Sequence, residues 1–245
     1  MQKVNILSGN SLKLLAAAAM LIDHVGLIFF PQYIIFRIIG RLAFPIFAFM
    51  IAEGCSHTRS KLRYFLTMSI LALVCQVVYF VALGDLKMSV FVTFSISILL
   101  VYFFNYVNKI LFDAEYPGGV KIVALVTFFA TLTAVYFINI FVNIDYGFPG
   151  CIMPLFASIL RSDKSSPDSL KKLDKNHWHV LTMGACLLYM CCISRPIQFF
   201  SLLTLPLLLL YSGKRGKLKL KYFFYLFYPL HLVALYGIDL IIRIG

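Results

Sequence analysis

Charged side chains are scarce in this sequence of 245 residues, and acidic ones are the scarcest. Asp, Glu, Lys and Arg together make up 13% of the residues, whereas hydrophobic residues make up 61%, and the mean hydropathy is +0.90. Soluble domains usually contain about a quarter charged residues, so this composition excludes the class of soluble globular proteins. We predict an integral membrane protein.

The sequence also lacks the apolar and polar alternation of outer-membrane β-strands. Without a closed barrel, a backbone in lipid must form its hydrogen bonds within helices. Apolar runs of about 17 to 22 residues recur instead, each long enough to cross roughly 30 Å of hydrocarbon. We predict an all-α, polytopic transmembrane bundle of about nine helices, near residues 12–30, 34–54, 64–83, 88–108, 120–141, 146–161, 180–195, 197–212 and 222–243.

No internal repeat or low-complexity tract interrupts these runs. Residues 1–11 have neither the length nor the small-residue cleavage site of a signal peptide, so we expect the first helix to stay in the mature protein. Residues 161–179 form a linker-like loop that is too short to join a second domain. A single transmembrane domain over residues 1–245 is therefore the expected organisation.

Basic residues outnumber acidic ones by 22 to 10, which gives a net charge of +12. Such a charge could indicate nucleic-acid binding, but 17 of the 22 fall in the N-terminal segment and the even-numbered loops. The opposite side has only Arg37, Lys87, Arg195 and Arg243. By the positive-inside rule, the N-terminus is expected in the cytoplasm and the C-terminus outside. The charge thus indicates topology, and no nucleic-acid partner is expected.

The cysteines show no metal-ligand spacing and fall largely within the predicted helices. They are interpreted as small apolar residues rather than as ligands or disulfide partners. No metal site is therefore expected. The six positions are Cys55, Cys75, Cys151, Cys186, Cys191 and Cys192.

Asp23 and His24 lie deep in the first predicted helix, after an apolar run that begins at Lys13. Ionisable side chains at such a depth are costly and are usually kept for function. At about 1.5 Å per residue, His24 lies roughly 18 Å from the cytoplasmic face, and Arg41 of the second helix reaches nearly the same depth from the other side. Arg37 precedes Arg41 by one turn on the same helical face. The sequence therefore allows His24 and Arg41 to meet.

This group of polar residues has two interpretations. Asp23, Arg37, Arg41 and Asp145 could form structural ion pairs, because buried charges must be paired. Alternatively, a neutral His24 could take a proton from a nucleophile and return it. Adjacent helical residues point in different directions, so Asp23 is expected to orient Arg41 rather than His24.

Other polar residues share this depth or flank it. Gln76 falls near the depth of His24, and Asp145 with Tyr146 begins the sixth helix at its outer edge. His231 lies near the midplane of the last helix, in an aromatic setting where a histidine is also often a structural hydrogen-bonding residue. The sequence leaves both interpretations of His231 open.

A second set of candidates lies on the predicted cytoplasmic side. Residues 213–217 read Gly-Lys-Arg-Gly-Lys, and residues 57–63 carry one histidine and three basic residues. Glycines allow close backbone approach and clustered cations bind phosphate, although such charges also determine topology or contact anionic lipid. Glu53, nearby, could face water or pair with Lys61. Together with His24, this set suggests that a phosphorylated carrier binds from the cytosol.

Several segments resemble the TraX family, which is named for conjugative pilin N-acetylation. The similarity runs in order from the first helix to the last, and its most specific part is GRLAFPIFAF at residues 40–49. The sequence departs from the family pattern at Ser89 and Ser212, where an Asn is common. The similar segments are KLLAAAAMLIDHVG (13–26), RIIGRLAFPIFAFMIAEG (37–54), HTR (57–59), DYG (145–147), LYSGKRG (210–216) and FFYLFYPLHL (223–232).

This resemblance implies an integral membrane acyltransferase of the bacterial inner membrane. Such proteins take an acetyl group from cytosolic acetyl-CoA and deliver it to an amine or hydroxyl at or beyond the membrane. They often carry a basic residue eleven positions before a catalytic histidine, and Lys13 and His24 have this spacing. The acceptor stays open among a protein amino terminus, an amino sugar and a small molecule.

The leading hypothesis assigns roles to particular residues. His24 would be the general base or, alternatively, a transient acyl carrier. Arg41, assisted by Arg37, would stabilise the oxyanion or position the acceptor, and Asp23 would orient these groups. The residues expected to bind the acceptor are Arg37, Gln76, Asp145, Tyr146 and His231. The residues expected to bind the phosphates of acetyl-CoA are Lys13, Arg59, Lys214, Arg215 and Lys217.

The alternative function is a proton-coupled or small-molecule transporter, in which Asp23, His24 and Arg41 form a proton relay or gate. That reading would be favoured by two matched interrupted helices, which the sequence does not indicate. A noncatalytic scaffold is a third possibility, but it leaves the buried charges unexplained.

Overall fold

The computed structural model describes residues 6–84, 88–162, 166, 168–218 and 220–244. Within these residues the chain is helical, and its only extended pairings are two isolated bridges. The predicted all-α class is therefore confirmed. Four of the 22 basic residues whose distribution predicts the topology lie outside the described residues, namely Lys3, Lys87, Lys164 and Lys219.

The helices follow the apolar runs closely. Six stretches are long and apolar enough to cross a membrane, which confirms the polytopic prediction: Gly9–Phe29, Ile34–His57, Lys61–Val81, Val90–Phe112, Gly118–Phe141 and Phe223–Ile242. The described helices are α1 (Gly9–Phe29), α2 (Ile34–Gly40), α3 (Ala43–His57), α4 (Lys61–Leu83), α5 (Val90–Phe112), α6 (Gly118–Phe141), α7 (Gly147–Phe156), α8 (Asp168–Leu173), α9 (Asn176–Ile193), a 3₁₀ segment (Pro196–Leu203), α10 (Thr204–Leu209) and α11 (Lys221–Ile244).

The predicted count of nine spanning helices is not confirmed. Two of the apolar runs form short helical pieces, α7 and the stretch Pro196–Leu209, because apolar composition does not by itself require a continuous α-helix. In the second piece the Ser201 hydroxyl donates to the Gln198 carbonyl at 2.6 Å, and the Thr204 hydroxyl donates to the Ser201 carbonyl at 2.6 Å. Such local bonds compete with α-helical pairing and favour the tighter turn.

The second predicted helix is interrupted near its middle. Helix α2 ends at Gly40, α3 begins at Ala43, and Arg41 between them keeps right-handed helical dihedrals (φ −61°, ψ −17°). Pro45 has no N–H, so the Arg41 carbonyl cannot receive its usual α-helical hydrogen bond. The interruption therefore falls at Arg41, within one membrane-crossing stretch.

Helix α1 packs against α2, α3 and α11. The close approach of α1 and α2 depends on small residues, because a Cβ atom on Gly26 would overlap Phe36 and one on Gly40 would overlap Asp23. Small residues commonly allow helices to pack closely in membranes. Helix α6 lies at the periphery, and only Phe128 of its residues is buried.

The cysteines are free, and five of them are buried, as expected for small apolar residues.

The loop after α10 is hydrogen-bonded to the start of α1. The Gly9 N–H donates to the Lys214 carbonyl at 2.8 Å, and the Asn10 N–H donates to the Arg215 carbonyl at 2.9 Å. The Asn10 side-chain amide also donates to the Leu218 carbonyl at 2.6 Å. These bonds satisfy N–H groups that a helix leaves unpaired in its first turn. They also hold the basic loop at the end of the bundle where α1 begins.

Candidate active site

A cavity of about 1520 Å³ runs between α1, α3, α4 and α11. Pockets for small ligands usually measure about 300 to 1,000 Å³, so this cavity has room for a large ligand or for two. Its wall includes Lys13 and Arg215 at the basic end of the bundle, His24 and Arg41 deeper inside, and Asp145 beyond them. One continuous space therefore connects the two sets of residues that the sequence singles out.

Helix α1 contributes one face to this wall. Because wall residues recur every three or four positions, they lie along one side of a helix of 3.6 residues per turn. Lys13 and His24 are eleven residues apart, which is about three turns and about 16 Å along the axis. The wall residues of this face include Gly9, Lys13, Ala17, Met20, His24 and Leu27.

Four cationic side chains surround the end of the cavity where α1 begins, and we call them the basic mouth. They are Lys13, Arg59, Arg63 and Arg215. Within the described part of the chain, no carboxylate lies within 4 Å of them to form an ion pair. The basic mouth therefore has positive charge available for an anionic ligand.

Two of the residues predicted to bind phosphate lie outside the cavity wall. Lys214 and Lys217 are exposed on the loop that carries Arg215, and neither lines the cavity. Arg63 does line it, although the sequence analysis assigned it no role of its own. Its position in the first turn of α4, four residues after Arg59, was the available signal.

Asp23, Arg37, Arg41 and Gln198 form a polar group on the cavity wall, which we call the Asp-Arg cluster. Gln198 is buried, whereas the side chains of Asp23, Arg41 and Arg37 are 14%, 14% and 32% exposed. Arg37 Nη1 donates to Asp23 Oδ2 at 2.7 Å, and Arg41 Nη2 lies 3.5 Å from Asp23 Oδ1. Arg41 Nη1 also donates to Gln198 Oε1 at 3.4 Å. Asp23 thus pairs with both arginines, and Arg37 makes the shorter contact.

Gln198 is the member of the Asp-Arg cluster that sequence reasoning missed. Its side chain is buried, and its Nε2 has no hydrogen-bond partner among the described residues. Residues 197–212 are an apolar run in the sequence, and the lone amide near its start is the only signal of this residue. Only the packing of the 3₁₀ segment against α2 brings this residue to Arg41.

Gly40→Ala should disrupt the Asp-Arg cluster, because the new Cβ would occupy the position of the Asp23 carboxylate. Overpacking in well-packed interiors typically costs about 1 to 3 kcal/mol, so the thermal unfolding midpoint in detergent should fall. Gly237→Ala is the matched control, since nothing lies within 4 Å of the Cβ position there. Equal midpoints for the two variants would contradict this close approach.

His24 contacts His231 of α11. His24 Nδ1 lies 2.9 Å from the Met20 carbonyl, and His231 Nδ1 lies 2.9 Å from the Phe227 carbonyl. His231 Nε2 lies 3.4 Å from His24 Nδ1, and the two rings meet edge to face with centroids 5.0 Å apart. His231 is buried and, unlike His24, does not line the cavity.

The remaining predicted residues are divided between the cavity wall and the bundle interior. Asp145 and Tyr146 line the cavity, and the Tyr146 ring stacks on Phe44 at a centroid distance of 3.7 Å. Ser89 also lines it, and its hydroxyl is buried without a partner among the described residues. Gln76 does not line the cavity, so the structure does not bring it to His24.

A second polar group lies beside the basic mouth. Glu53 pairs with Arg161 at 2.6 Å and accepts from the Tyr211 hydroxyl at 3.1 Å, so its partner is not the lysine that the sequence suggested. Asp174 accepts from the Ser162 N–H and hydroxyl at 3.0 and 2.8 Å. Burial acts to raise the pKa of Asp174, but these hydrogen bonds outweigh burial and hold it below its ordinary value. Within this group Arg161 neutralises Glu53, so Glu53 does not pair with the cations of the basic mouth.

Membrane-crossing helices around one cavity with buried ionisable side chains define a multi-pass membrane protein. The family model described as TraX protein matches residues 8–239, and the chain belongs to the TraX family. A segment of 38 residues is 58% identical to an uncharacterized protein of Rickettsia prowazekii (strain Madrid E). This segment covers 16% of the chain and spans only 15% of the length of that relative. No solved structure matches the chain.

Proposed function

We propose that this protein is a membrane acetyltransferase that transfers an acetyl group from cytosolic acetyl-CoA to an amine or hydroxyl. The observation that carries the proposal is the single cavity that joins the basic mouth to His24. CoA has phosphates at one end and a thiol at the end of a long narrow arm, and the distance of about 16 Å from Lys13 to His24 is comparable to that arm. Ala17 and Met20, on the wall between them, are apolar and leave room for it.

The proposed reaction uses His24 as the general base. The Met20 carbonyl can only accept, so His24 carries its proton on Nδ1 and its Nε2 has a free lone pair. Nε2 takes a proton from the acceptor as the acceptor attacks the thioester carbonyl. The new carbon–nitrogen or carbon–oxygen bond forms, the carbon–sulfur bond breaks, and the proton passes to the CoA sulfur.

The Asp-Arg cluster would stabilise the negative charge that develops on the thioester oxygen. Arg41 is the proposed donor, because preorganised cationic donors in a water-poor site stabilise an oxyanion effectively. Asp23 and Gln198 hold its guanidinium in place. Arg37, Asp145 and Tyr146 are the proposed contacts to the acceptor, since they line the same cavity.

Lys13→Gln and Arg215→Gln should each weaken acetyl-CoA binding about tenfold or more, because each removes a charge-assisted contact worth about 1.5 to 3 kcal/mol. Binding of acetyl-pantetheine, which lacks the nucleotide phosphates, should stay unchanged. Titration calorimetry of the detergent-purified protein measures both affinities. Lys171→Gln is the control, since Lys171 is exposed and pairs with Asp168 away from the cavity.

Transfer is tested with acetyl-CoA and three acceptors: a peptide with a free amino terminus, glucosamine and glycerol. Release of free CoA and mass spectrometry of the acceptor measure the reaction. The proposal predicts acetyl-CoA binding and acetylation of at least one acceptor. A protein that binds no acetyl-CoA, or binds acetyl-CoA and acetyl-pantetheine equally well, would overturn it.

Transport is a second candidate, favoured by one observation that the sequence did not indicate. The interruption at Arg41 packs against the 3₁₀ segment of Gln198, so two irregular stretches meet at the Asp-Arg cluster. Interrupted helices often form substrate sites in transporters. Uptake of an amino sugar into proteoliposomes without CoA would favour transport over acetyl transfer.

A further inference from the structure

The contact between His24 and His231 is not explained by a role of His231 in binding the acceptor. His231 is 7% exposed and does not line the cavity, and its Nε2 points to His24 Nδ1 at 3.4 Å. The imidazole also stacks on Phe227, with centroids 5.1 Å apart and an interplanar angle of 13°. Its ring is therefore held in one orientation. His24, which it contacts, lines the cavity.

The protonation of both rings follows from their backbone contacts. A carbonyl oxygen can only accept a hydrogen bond, so His24 Nδ1 and His231 Nδ1 each carry a hydrogen. In its neutral form His231 then has a lone pair on Nε2. This lone pair faces the His24 Nδ1 hydrogen, which is shared between Met20 and His231. The two rings thus form a directed chain that ends at the free Nε2 of His24.

We propose that His231 is a positioning residue that stabilises the imidazolium form of His24 during acetyl transfer. When His24 Nε2 takes the proton of the acceptor, positive charge spreads over the ring and its Nδ1–H becomes a stronger donor. The lone pair of His231 Nε2 accepts this hydrogen bond, which becomes charge-assisted. The proton on His24 Nε2 then passes to the CoA sulfur, and both rings return to their neutral forms.

This arrangement performs the task that a carboxylate performs in a Ser-His-Asp triad, where the third group holds the histidine and stabilises its charged form. Asp23 is adjacent to His24 but is directed away, toward Arg37 and Arg41. A neutral acceptor in place of a carboxylate keeps His24 uncharged in the resting site. Because His231 is buried, its lone pair is shielded from water.

The inference rests on the proposed function and is tested with three variants of the full-length protein. His231→Phe keeps a planar ring against Phe227 but removes the acceptor, whereas His231→Gln restores an oxygen near the Nε2 position. His177→Phe is the matched control, because His177 is exposed at the start of α9, away from the cavity. The measurements are kcat and KM for acetyl-CoA, with the acceptor that the wild type acetylates, and the thermal unfolding midpoint.

We expect His231→Phe to lower kcat by about 10-fold to 100-fold with an unchanged KM for acetyl-CoA, which corresponds to about 1.4 to 2.7 kcal/mol. His231→Gln should recover most of this loss, and His177→Phe should behave as the wild type. Unchanged kcat in His231→Phe would overturn the inference, as would equal losses in both His231 variants accompanied by lower unfolding midpoints. A wild-type protein without any transfer activity would instead overturn the proposed function.

Discussion

His24→Gln should lower the rate of acetyl transfer by about 10²-fold to 10⁴-fold, which is the usual contribution of a general base. The amide of Gln cannot take a proton at neutral pH, yet it has nearly the size of the imidazole. Acetyl-CoA affinity should stay nearly unchanged, because the phosphate contacts lie about 16 Å away at the basic mouth. Product formation and calorimetry measure the two quantities separately.

The control for this substitution is His177→Gln, an exposed histidine on α9 that does not line the cavity. It should change neither the rate nor the affinity. Retained turnover in His24→Gln would remove His24 from the mechanism. Lost turnover together with lost acetyl-CoA binding would show that the substitution disturbs the fold of the cavity rather than the chemical step.

Arg41→Gln should lower kcat by about 10²-fold to 10³-fold, the usual effect of removing one oxyanion donor. The fold should persist, because Asp23 keeps its hydrogen bond of 2.7 Å with Arg37. The thermal midpoint and the acetyl-CoA affinity should therefore stay close to those of the wild type. Steady-state kinetics, with kcat and KM measured separately, tests the prediction.

Arg195→Gln is the matched control, since Arg195 is an exposed arginine on the cavity wall, three residues before Gln198. If Arg41→Gln raised only the KM of the acceptor, Arg41 would bind the acceptor rather than stabilise the oxyanion. Equal losses in the two variants would show that a general positive charge matters, and not the position of the Arg41 guanidinium.

The geometry of the Asp-Arg cluster bears on whether its charges are structural or functional. A buried carboxylate is stabilised by pairing, and removing its partner is usually costly. Arg37 provides that pairing through its short bond, whereas Arg41 lies 3.5 Å from Asp23 and is held also by Gln198. Asp23 is therefore neutralised mainly by Arg37, and the charge of Arg41 is less fully neutralised. This division favours Arg41 as the group that acts on a substrate.

The position of the basic mouth could be predicted from the sequence only in part. Helical geometry places Lys13 on the same face as His24, because eleven residues are close to a whole number of turns. The sequence did not indicate that Arg63 belongs to the wall or that Lys214 does not. The position of Lys214 depends on how the loop before α11 is hydrogen-bonded to Gly9 and Asn10, and that of Arg63 depends on how α4 packs against α11.

Composition and local periodicity determined the class of this protein. The long apolar runs require helices in a membrane, since a backbone in lipid must satisfy its own hydrogen bonds, and these runs placed six spanning stretches correctly. They did not determine continuity: residues 197–212 are apolar, yet side-chain hydroxyls and Pro196 favour a short 3₁₀ segment there.

The sequence suggested that Asp23 pairs with the arginines of the next helix, as it does, but only the tertiary structure decided which distant polar side chains meet. Gln198 reaches Arg41 and His231 reaches His24 across 157 and 207 residues of sequence. Gln76, at a similar predicted depth, does not line the cavity. Depth along a helix follows from residue number, but the direction in which a residue faces its neighbours depends on how each helix rotates and packs against the others. The local sequence does not determine that rotation. The contacts of His24 with His231 and of Arg41 with Gln198 can therefore be identified only in the folded bundle.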